Sequence, residues 1–345
     1  MQSFDNNEIT FIIVGDNKTP EIAEKYEVDG LWNVEYWSPG GQEDWVFKTF
    51  PNKIDKALRH IPDNKVSRRN FGFLRSKELG SDVTITIDDD NFPDQDDWIG
   101  SHTSFNPSWI VSSRNRIINP CEILDTVCGN KVYSRGYPYD KLYTDSFDMS
   151  SNISGIKSVL NLGLWTQSPD VDAFTNILFS PKTMVSEYRT PGSVGMAVHN
   201  YFPLNTQNTS FTKDLDIFHC IYQEPLFGLP SHRYDDIWIG LFAQRLMHRM
   251  GDTATFGSPI VRHERNSHNF VKDFQTEFVG SILNIRMWDV VANKIVIDSK
   301  SYRDGFLEIA EQLPGFFMEF NYDIRKYIRS MSESMCDWVE LIDDL

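Results

Sequence analysis

The sequence predicts an α/β fold, with a central sheet, flanking helices and a helical C-terminal segment. Three observations carry that prediction. Strand-like apolar runs alternate with helical stretches between Ile9 and Ile87. The clearest of those runs, Val83–Ile87, ends abruptly in three successive carboxylates, Asp88, Asp89 and Asp90. From Phe270 to Leu345 the apolar spacing turns helical. At 345 residues and 40.0 kDa, the chain is long enough for a large sheet domain, read as residues 1–270. A helical segment, residues 271–345, is expected to pack on it.

Each element has its own signal. Ile9–Val14 is a short β-rich apolar run ending at Gly15-Asp16, and reads as a buried strand. Thr19 and Pro20 form a helix start, with Thr19 as cap and Pro20 in the first turn. Residues 30–50, rich in Trp, Gly and Pro, read as strand and loop. Asn70–Leu79 reads as a helix stopped by Gly80, and Val83–Ile87 as a strand. Residues 106–150 hold short strands and loops. Asp235–Met250 is an amphipathic helix with Gly251 as its stop. Phe274, Phe278, Ile282 and Ile285 mark the next helix, followed by Phe306–Leu313 and Tyr322–Leu345, with Pro314-Gly315 between the last two.

Composition excludes several functions. Asp and Glu number 49 against 33 Lys and Arg, a net charge of −16, so a basic stripe for duplex nucleic acid is lacking. An acidic surface also repels anionic membranes, and no apolar run reaches the length of a membrane span. Four cysteines without a C-x-x-C pair point to reduced thiols, and the polar first residues lack a signal peptide's pattern. A cytoplasmic location is the expectation. There is no G-x-G-x-x-G after a strand, no Walker A lysine, no G-x-S-x-G elbow and no H-E-x-x-H, so flavin, nicotinamide and zinc-hydrolase chemistry have no support.

The carboxylates after Val83–Ile87 are the most informative spot. Ligands bind at the carboxyl ends of strands in open α/β sheets, and carboxylate oxygens suit Mg²⁺ or Mn²⁺. Asp88 and Asp90 alternate along the chain and can aim at one ion; the competing reading is a solvated acidic turn. His263, after Pro259-Ile-Val261, is a candidate third ligand. Asp235 and Asp236 open a predicted helix, and either cap it or face a sugar as base, nucleophile or hydroxyl clamp. Arg135, in the tight turn Ser134–Tyr139, can sit beside a diphosphate or stay solvated. Trp165 can stack on a sugar ring or fill the core; Asp170 and Asp172 can hold hydroxyls or form an acidic loop. Arg69 and Asn70, in the Arg68-Arg69-Asn70 stretch before the helix that leads into the triple-Asp strand, can meet a nucleotide phosphate or be a bare basic pair of no functional weight. Asp16 and Asp89, at the ends of two predicted strands, complete the candidate binding set.

In order, Ile87-Asp-Asp-Asp90, Arg135-Gly-Tyr-Pro-Tyr139, Gly163-Leu-Trp165 with Pro169-Asp-Val-Asp-Ala173, and Arg233-Tyr-Asp-Asp-Ile-Trp-Ile-Gly240 resemble the motifs of the reversibly glycosylated polypeptides, the UDP-arabinopyranose mutase family. Phe202-Pro203 and Lys213-Asp214-Leu215 fit the same pattern, which spans roughly residues 65–270. The resemblance implies a GT-A-type, Rossmann-like nucleotide-sugar-binding sheet domain. It implies a divalent metal, Mn²⁺ or Mg²⁺, at Asp88, Asp89 and Asp90 with His263, and a nucleotide-sugar substrate, UDP-sugar favoured. It implies flavin-independent interconversion of pyranose and furanose forms, with Arg135 at the position of the arginine that becomes reversibly glycosylated. A second family arginine falls on Leu142, and Ile9–Asp16 is more similar to the family's second strand than to its first. Two alternatives stay open: a glycosyltransferase using a nucleotide-sugar donor, and a non-catalytic binding protein on a decayed transferase fold. The aromatic C-terminal helices either cover the sheet domain or form a subunit contact, so a homo-oligomer is also open.

Overall fold

A computed structural model describes residues 8–19, 33–127, 129, 131–144, 147–150, 157–185, 193–230, 233–266 and 269–345. The β-rich run near the start forms β1 (Thr10–Val14), which pairs in parallel with β2 (Asn33–Trp37), Thr10 opposite Asn33 and Val14 opposite Trp37. Thr19 lies in a turn, where its Oγ1 accepts the Asp16 N–H at 2.8 Å; the helix expected from Pro20 falls outside the described residues. Within the stretch read as strand and loop, α1 (Pro39–Thr49) is a helix. Ser38 caps it by accepting the Gly41 N–H at 3.2 Å, and Pro39 sits at its first position. The Gly40-Gly41 pair had masked this start. Next come α2 (Ile54–His60) and α3 (Asn70–Glu78), which ends next to Gly80 at φ 69° as its composition predicts.

The chain then enters a large sheet. β3 (Val83–Ile87), β4 (Asn91–Pro93), α4 (Trp98–Thr103), β5 (Trp109–Ser113), β6 (Leu124–Thr126), β7 (Phe147–Ser150) and β8 (Ser158–Gln167) follow in order. After them come α5 (Ala173–Phe179), β9 (Thr183–Val185), β10 (Val194–Met196), β11 (Asn208–Thr212), α6 (Asp235–Met250) and β12 (Thr253–His263). Among the described residues the spatial order is β3-β11-β8-β12-β10-β5-β7, with β4 on β12 and β9 joining β6 to β8. The ten strands run both parallel and antiparallel, with helices on their flanks, the Rossmann-like arrangement expected of a GT-A-type domain. β8 and β12 pair in parallel at the centre, and almost all of their residues are buried.

Helices α7 (Phe270–Asn293), α8 (Tyr302–Gln312) and α9 (Tyr322–Ile342) close the chain. They share one hydrophobic core with the sheet, running from Trp45 to Ile342. Trp338 of α9 stacks on His219 with ring centroids 4.2 Å apart and planes 6° apart. Phe317, Tyr327 and Trp338 are buried in this core, so these aromatic side chains cover the sheet domain. Among the described residues no helix is long and apolar enough to cross a membrane, and Cys121, Cys220 and Cys336 are free thiols.

Candidate active site

β3 carries the chain to a turn at its carboxyl end. The Asp88 N–H donates to Gln207 O at 3.0 Å, and the Asn91 N–H returns to Asp88 O at 3.1 Å. β4 then pairs with β12, placing His263 opposite Asn91, and the Glu264 N–H donates to Asp90 O at 2.9 Å. This register brings His263 to Asp90, Nε2 3.3 Å from Oδ2. The other ring nitrogen, Nδ1, faces Ser168 O at 2.5 Å. Burial alone would lower the His263 pKa, but the hydrogen bond and charge of Asp90 and the Ser168 carbonyl outweigh it and raise it. Burial pushes Asp90 up, and its contacts with His263 more than reverse that, leaving it below the usual range.

Asp88 turns the other way. Arg69 Nη2 donates to its Oδ1 at 2.5 Å, while Arg69 Nη1 donates to Thr206 O at 2.8 Å. Burial raises the Asp88 pKa despite that guanidinium. The backbone continues the circuit, since the Thr206 N–H points at Asp236 Oδ2 at 3.4 Å.

Arg135 lies between two carboxylates. Its Nε donates to Asp170 at 3.1 Å, and Nη1 and Nη2 fork onto Asp236 at 3.0 and 2.8 Å. Nη2 is also 3.1 Å from Asp170 Oδ2, and Nη1 reaches the Arg233 carbonyl. Burial would lower the Arg135 pKa, and the two carboxylates hold it far above its ordinary value; Asp170 is in turn held low by Arg135 against its own burial. The turn carrying Arg135 requires glycine next in the chain. Gly136 has φ 86°, and a Cβ there would lie 2.4 Å from Ile237 Cγ2. From α7, Asn284 and Trp288 both donate to the Gly136 carbonyl, at 2.8 and 3.1 Å.

Asp235 and Asp236 occupy the first turn of α6. Asp235 Oδ1 accepts the Asp236 N–H at 3.1 Å, while its Oδ2 is buried without a hydrogen-bond partner. Burial and then the Asp236 charge push the Asp235 carboxyl up to about 7.

Taken together, Asp88, Arg69, Thr206, Asp236, Arg135, Asp170, the Ser168–Asp170 backbone, His263 and Asp90 form a ring of polar contacts, beginning and ending on the same turn. Seven segments build it, at Arg69, Asp88–Asp90, Arg135, Ser168–Asp170, Thr206, Asp236 and His263, and most of its side chains are ones the sequence singles out.

Other candidates have different roles. Asn70 is fully buried, donates to Cys220 O and His60 O, and accepts the Cys220 N–H; its amide ties loops together rather than facing a phosphate. Trp165 is fully buried in β8, so its ring has no open face on which a sugar could stack. Asp172 caps α5, accepting from Thr175 N at 2.7 Å. Asp16 accepts the Asn17 N–H at 2.7 Å and lies 3.9 Å from Arg68. Asp89 is exposed. Sequence reasoning passed over Asn205, which donates to Asp170 at 2.7 Å, and Glu277, which accepts from Arg233 Nε at 2.9 Å and Ala173 N at 2.7 Å. An acid on the inward face of the apolar helix α7 was the available signal for Glu277.

Among the described residues no three His, Cys, Asp or Glu side chains converge as a ready metal cluster. Asp90 and His263 nonetheless supply the donor chemistry of a divalent site. They are a carboxylate and an imidazole facing each other, with the second ring nitrogen fixed by a carbonyl, as in metal-ligating histidines.

The sequence model of the family described as "Reversibly glycosylated polypeptide" matches residues 39–345. The chain belongs to this family. It is 24% identical to UDP-arabinopyranose mutase 2 of Arabidopsis thaliana over 290 residues, covering 80% of this chain and 72% of that protein. It is 25% identical to UDP-arabinopyranose mutase 1 of Oryza sativa subsp. japonica over 289 residues, covering 80% of this chain and 71% of that one. Probable UDP-arabinopyranose mutase 2 of Solanum tuberosum is 25% identical over 286 residues. Leu142 packs against the hydrophobic core.

Proposed function

We infer that the chain is a nucleotide-sugar mutase that interconverts pyranose and furanose forms of a UDP-sugar. The observation that carries this reading is the Arg135 guanidinium fixed between Asp170 and Asp236, within a ring of contacts at the carboxyl end of β3. The names of the relatives supply the substrate class. Breaking the anomeric C–O bond leaves a nucleoside diphosphate and an oxocarbenium-like sugar. Arg135 holds the Asp170 carboxyl below its usual range and orients both Asp170 and Asp236, so negative charge is in place for the developing sugar cation. Arg69, anchored on Thr206 O and Asp88, contributes positive charge on the diphosphate side. Asp235, its carboxyl pushed up to about 7 by burial and then by the Asp236 charge, exchanges a proton near neutral pH beside the first turn of α6. The sugar's free hydroxyl then adds to the anomeric carbon and gives its proton to a carboxylate of the site; the former ring C–O bond breaks, its oxygen takes that proton back as a hydroxyl, and a diphosphate oxygen rebonds to the anomeric carbon.

Asp90 and His263 would hold Mn²⁺ or Mg²⁺, with Asp88 as a further carboxylate once released from Arg69; the bound cation would neutralise diphosphate charge. A cytoplasmic location and independence from flavin belong to the same proposal. The test is an NMR time course with UDP-arabinopyranose and Mn²⁺, without acceptor. New furanose anomeric signals approaching an equilibrium ratio are expected. An intact donor throughout, with binding still detectable, would refute the mutase reading and direct the search to transfer onto an acceptor.

A further inference from the structure

Helix α7 buries an apolar face through Val279, Leu283 and Met287. Glu277, Asn284 and Trp288 bring polar groups into that burial, at a spacing that sets all three on one side of the helix. All three end on the scaffold of the candidate site. Asn284 and Trp288 donate to the carbonyl of Gly136, next in the chain to Arg135. Glu277 is 2% exposed, and its two oxygens go to two different segments. Oε1 accepts from Arg233 Nε at 2.9 Å, and Oε2 accepts the Ala173 N–H at 2.7 Å.

Those segments are the ones that carry Asp170 and Asp236. Ala173 follows shortly after Asp170, whose carbonyl accepts the Arg135 N–H at 2.8 Å. Arg233 comes shortly before Asp236, and its own carbonyl accepts from Arg135 Nη1. The two segments are therefore joined twice, by the Arg135 guanidinium within the site and by the Glu277 carboxylate from α7. The charge of Arg233 also helps to hold the Asp170 carboxyl low. Burial pushes the Glu277 carboxyl up, against the charges of Arg233 and Arg135 and the Ala173 amide. An apolar residue would fill the same space without that cost, so what Glu277 supplies is its pair of acceptors. Asp273, one turn earlier on α7, comes only within 4.0 Å of Arg233 Nη1.

We propose that Glu277 is a positioning residue of the site, holding the Asp170 and Asp236 segments at the separation that the Arg135 guanidinium spans. It acts through Arg233 and the Ala173 amide. Both of those partners are donors. Glutamine has one acceptor oxygen and one NH₂ group, so it can satisfy one partner and must turn two further donors on the other. Aspartate keeps both acceptors on a shorter stem. The effect on turnover rests on the mutase reading, whereas the coupling of Glu277 to Arg135 does not.

Nuclear magnetic resonance of the arginine Nε–H groups in the full chain reads that coupling without turnover, with Arg135→Lys and Arg233→Lys assigning the two signals. In Glu277→Gln both signals are expected to move while the circular dichroism stays that of the wild type, and Glu277→Asp is expected to return the Arg135 signal part of the way. A folded Glu277→Gln whose Arg135 signal keeps its wild-type position overturns the proposal, whatever the protein turns over. Turnover of UDP-arabinopyranose and calorimetric binding of UDP form the second arm. Glu277→Gln is expected to lower kcat by about 10²-fold, as a misplacement of about 1 Å does, with KM, UDP affinity and UDP stoichiometry close to wild type. Glu277→Asp is expected to recover part of that loss. Glu277→Gln combined with Arg233→Lys is expected to fall short of the product of the two single losses, because both act on one link. Losses that multiply in full overturn the proposal, since Glu277 then does not act through Arg233. So does a kcat loss matched by an equal loss of UDP-binding sites, which marks a residue needed only for folding. A wild type that leaves UDP-arabinopyranose intact refutes the mutase reading alone, and the resonance shifts then decide this one. Should Glu277→Gln fail to fold, Glu277→Asp and Arg233→Lys carry the same comparisons.

Discussion

At Arg135 two buried carboxylates share one guanidinium, and the planar fork of arginine is what lets it reach both. Lysine would keep the charge but not the fork. Arg135→Lys is therefore expected to leave the fold intact with a lowered melting temperature, and to reduce turnover by about 10²-fold or more through misplacement of Asp170 and Asp236. A melting curve and the NMR assay check the two halves separately. Asp235 gives a pH signature. Its folded pKa, about 7, lies above its ordinary value of 3.8, so the folded state holds the proton more tightly than the unfolded chain. Its contribution to stability is complete below about 4 and is lost as pH rises toward and through 7. The wild-type melting temperature is expected to fall across that window, and Asp235→Asn to flatten the fall; a variant with an unchanged slope would remove Asp235 as its source. The sequence marked Asp235 and Asp236 as a pair but could not say which faced Arg135, because adjacent helical residues point about 100° apart and direction depends on packing. The same limit applied to Asn70 and Trp165, whose residue types suited a ligand and whose side chains the tertiary fold turned inward.

At the scale of the element, legibility followed periodicity. β3, α3 and α6 each had a sharp start or stop and lie close to where the sequence put them. β8 and β12 were missed because both faces are covered, so no polar alternation marks them. Helix α1 was missed because Ser38 and Pro39, its real start signals, sit beside two glycines. The close fit of the central strands leads to a further prediction. At Gly163 of β8, a Cβ would lie 2.1 Å from Asn208 Nδ2 and 2.3 Å from Pro259 O, and neither can yield without breaking the hydrogen bond of 3.0 Å between them. Gly163→Ala is expected to destabilise the protein by about 1–3 kcal/mol, as overpacked cores do. Chemical denaturation measures this directly, and a change below about 0.5 kcal/mol would mean that β8 and β11 separate more easily than their geometry suggests.

At the scale of the molecule, the ring around Arg135 draws on the turn after β3, the start of α3, the loop after β8, the loop before β11, the start of α6 and the end of β12, so it exists only when the whole sheet is assembled. The sequence could supply the ring's members as separate motifs; their closure required the β4–β12 register that sets His263 beside Asp90. On the proposed function, that closure would make metal binding a property of the folded state. Ligands that bind only the folded form stabilise it by about 2.7 kcal/mol at a hundred times Kd. Mn²⁺ is therefore expected to raise the melting temperature of the wild type, and Asp90→Asn and His263→Gln to abolish that rise while remaining folded. Because the imidazole must lose a proton to accept a cation, the rise is expected to shrink as the pH is lowered. EDTA is expected to stop turnover and added Mn²⁺ to restore it. A wild type whose melting temperature ignores Mn²⁺ while its turnover survives EDTA would leave Asp90 and His263 as an ion pair that orders the loop at Ser168, with Arg69 and the Arg135 scaffold meeting the diphosphate unaided.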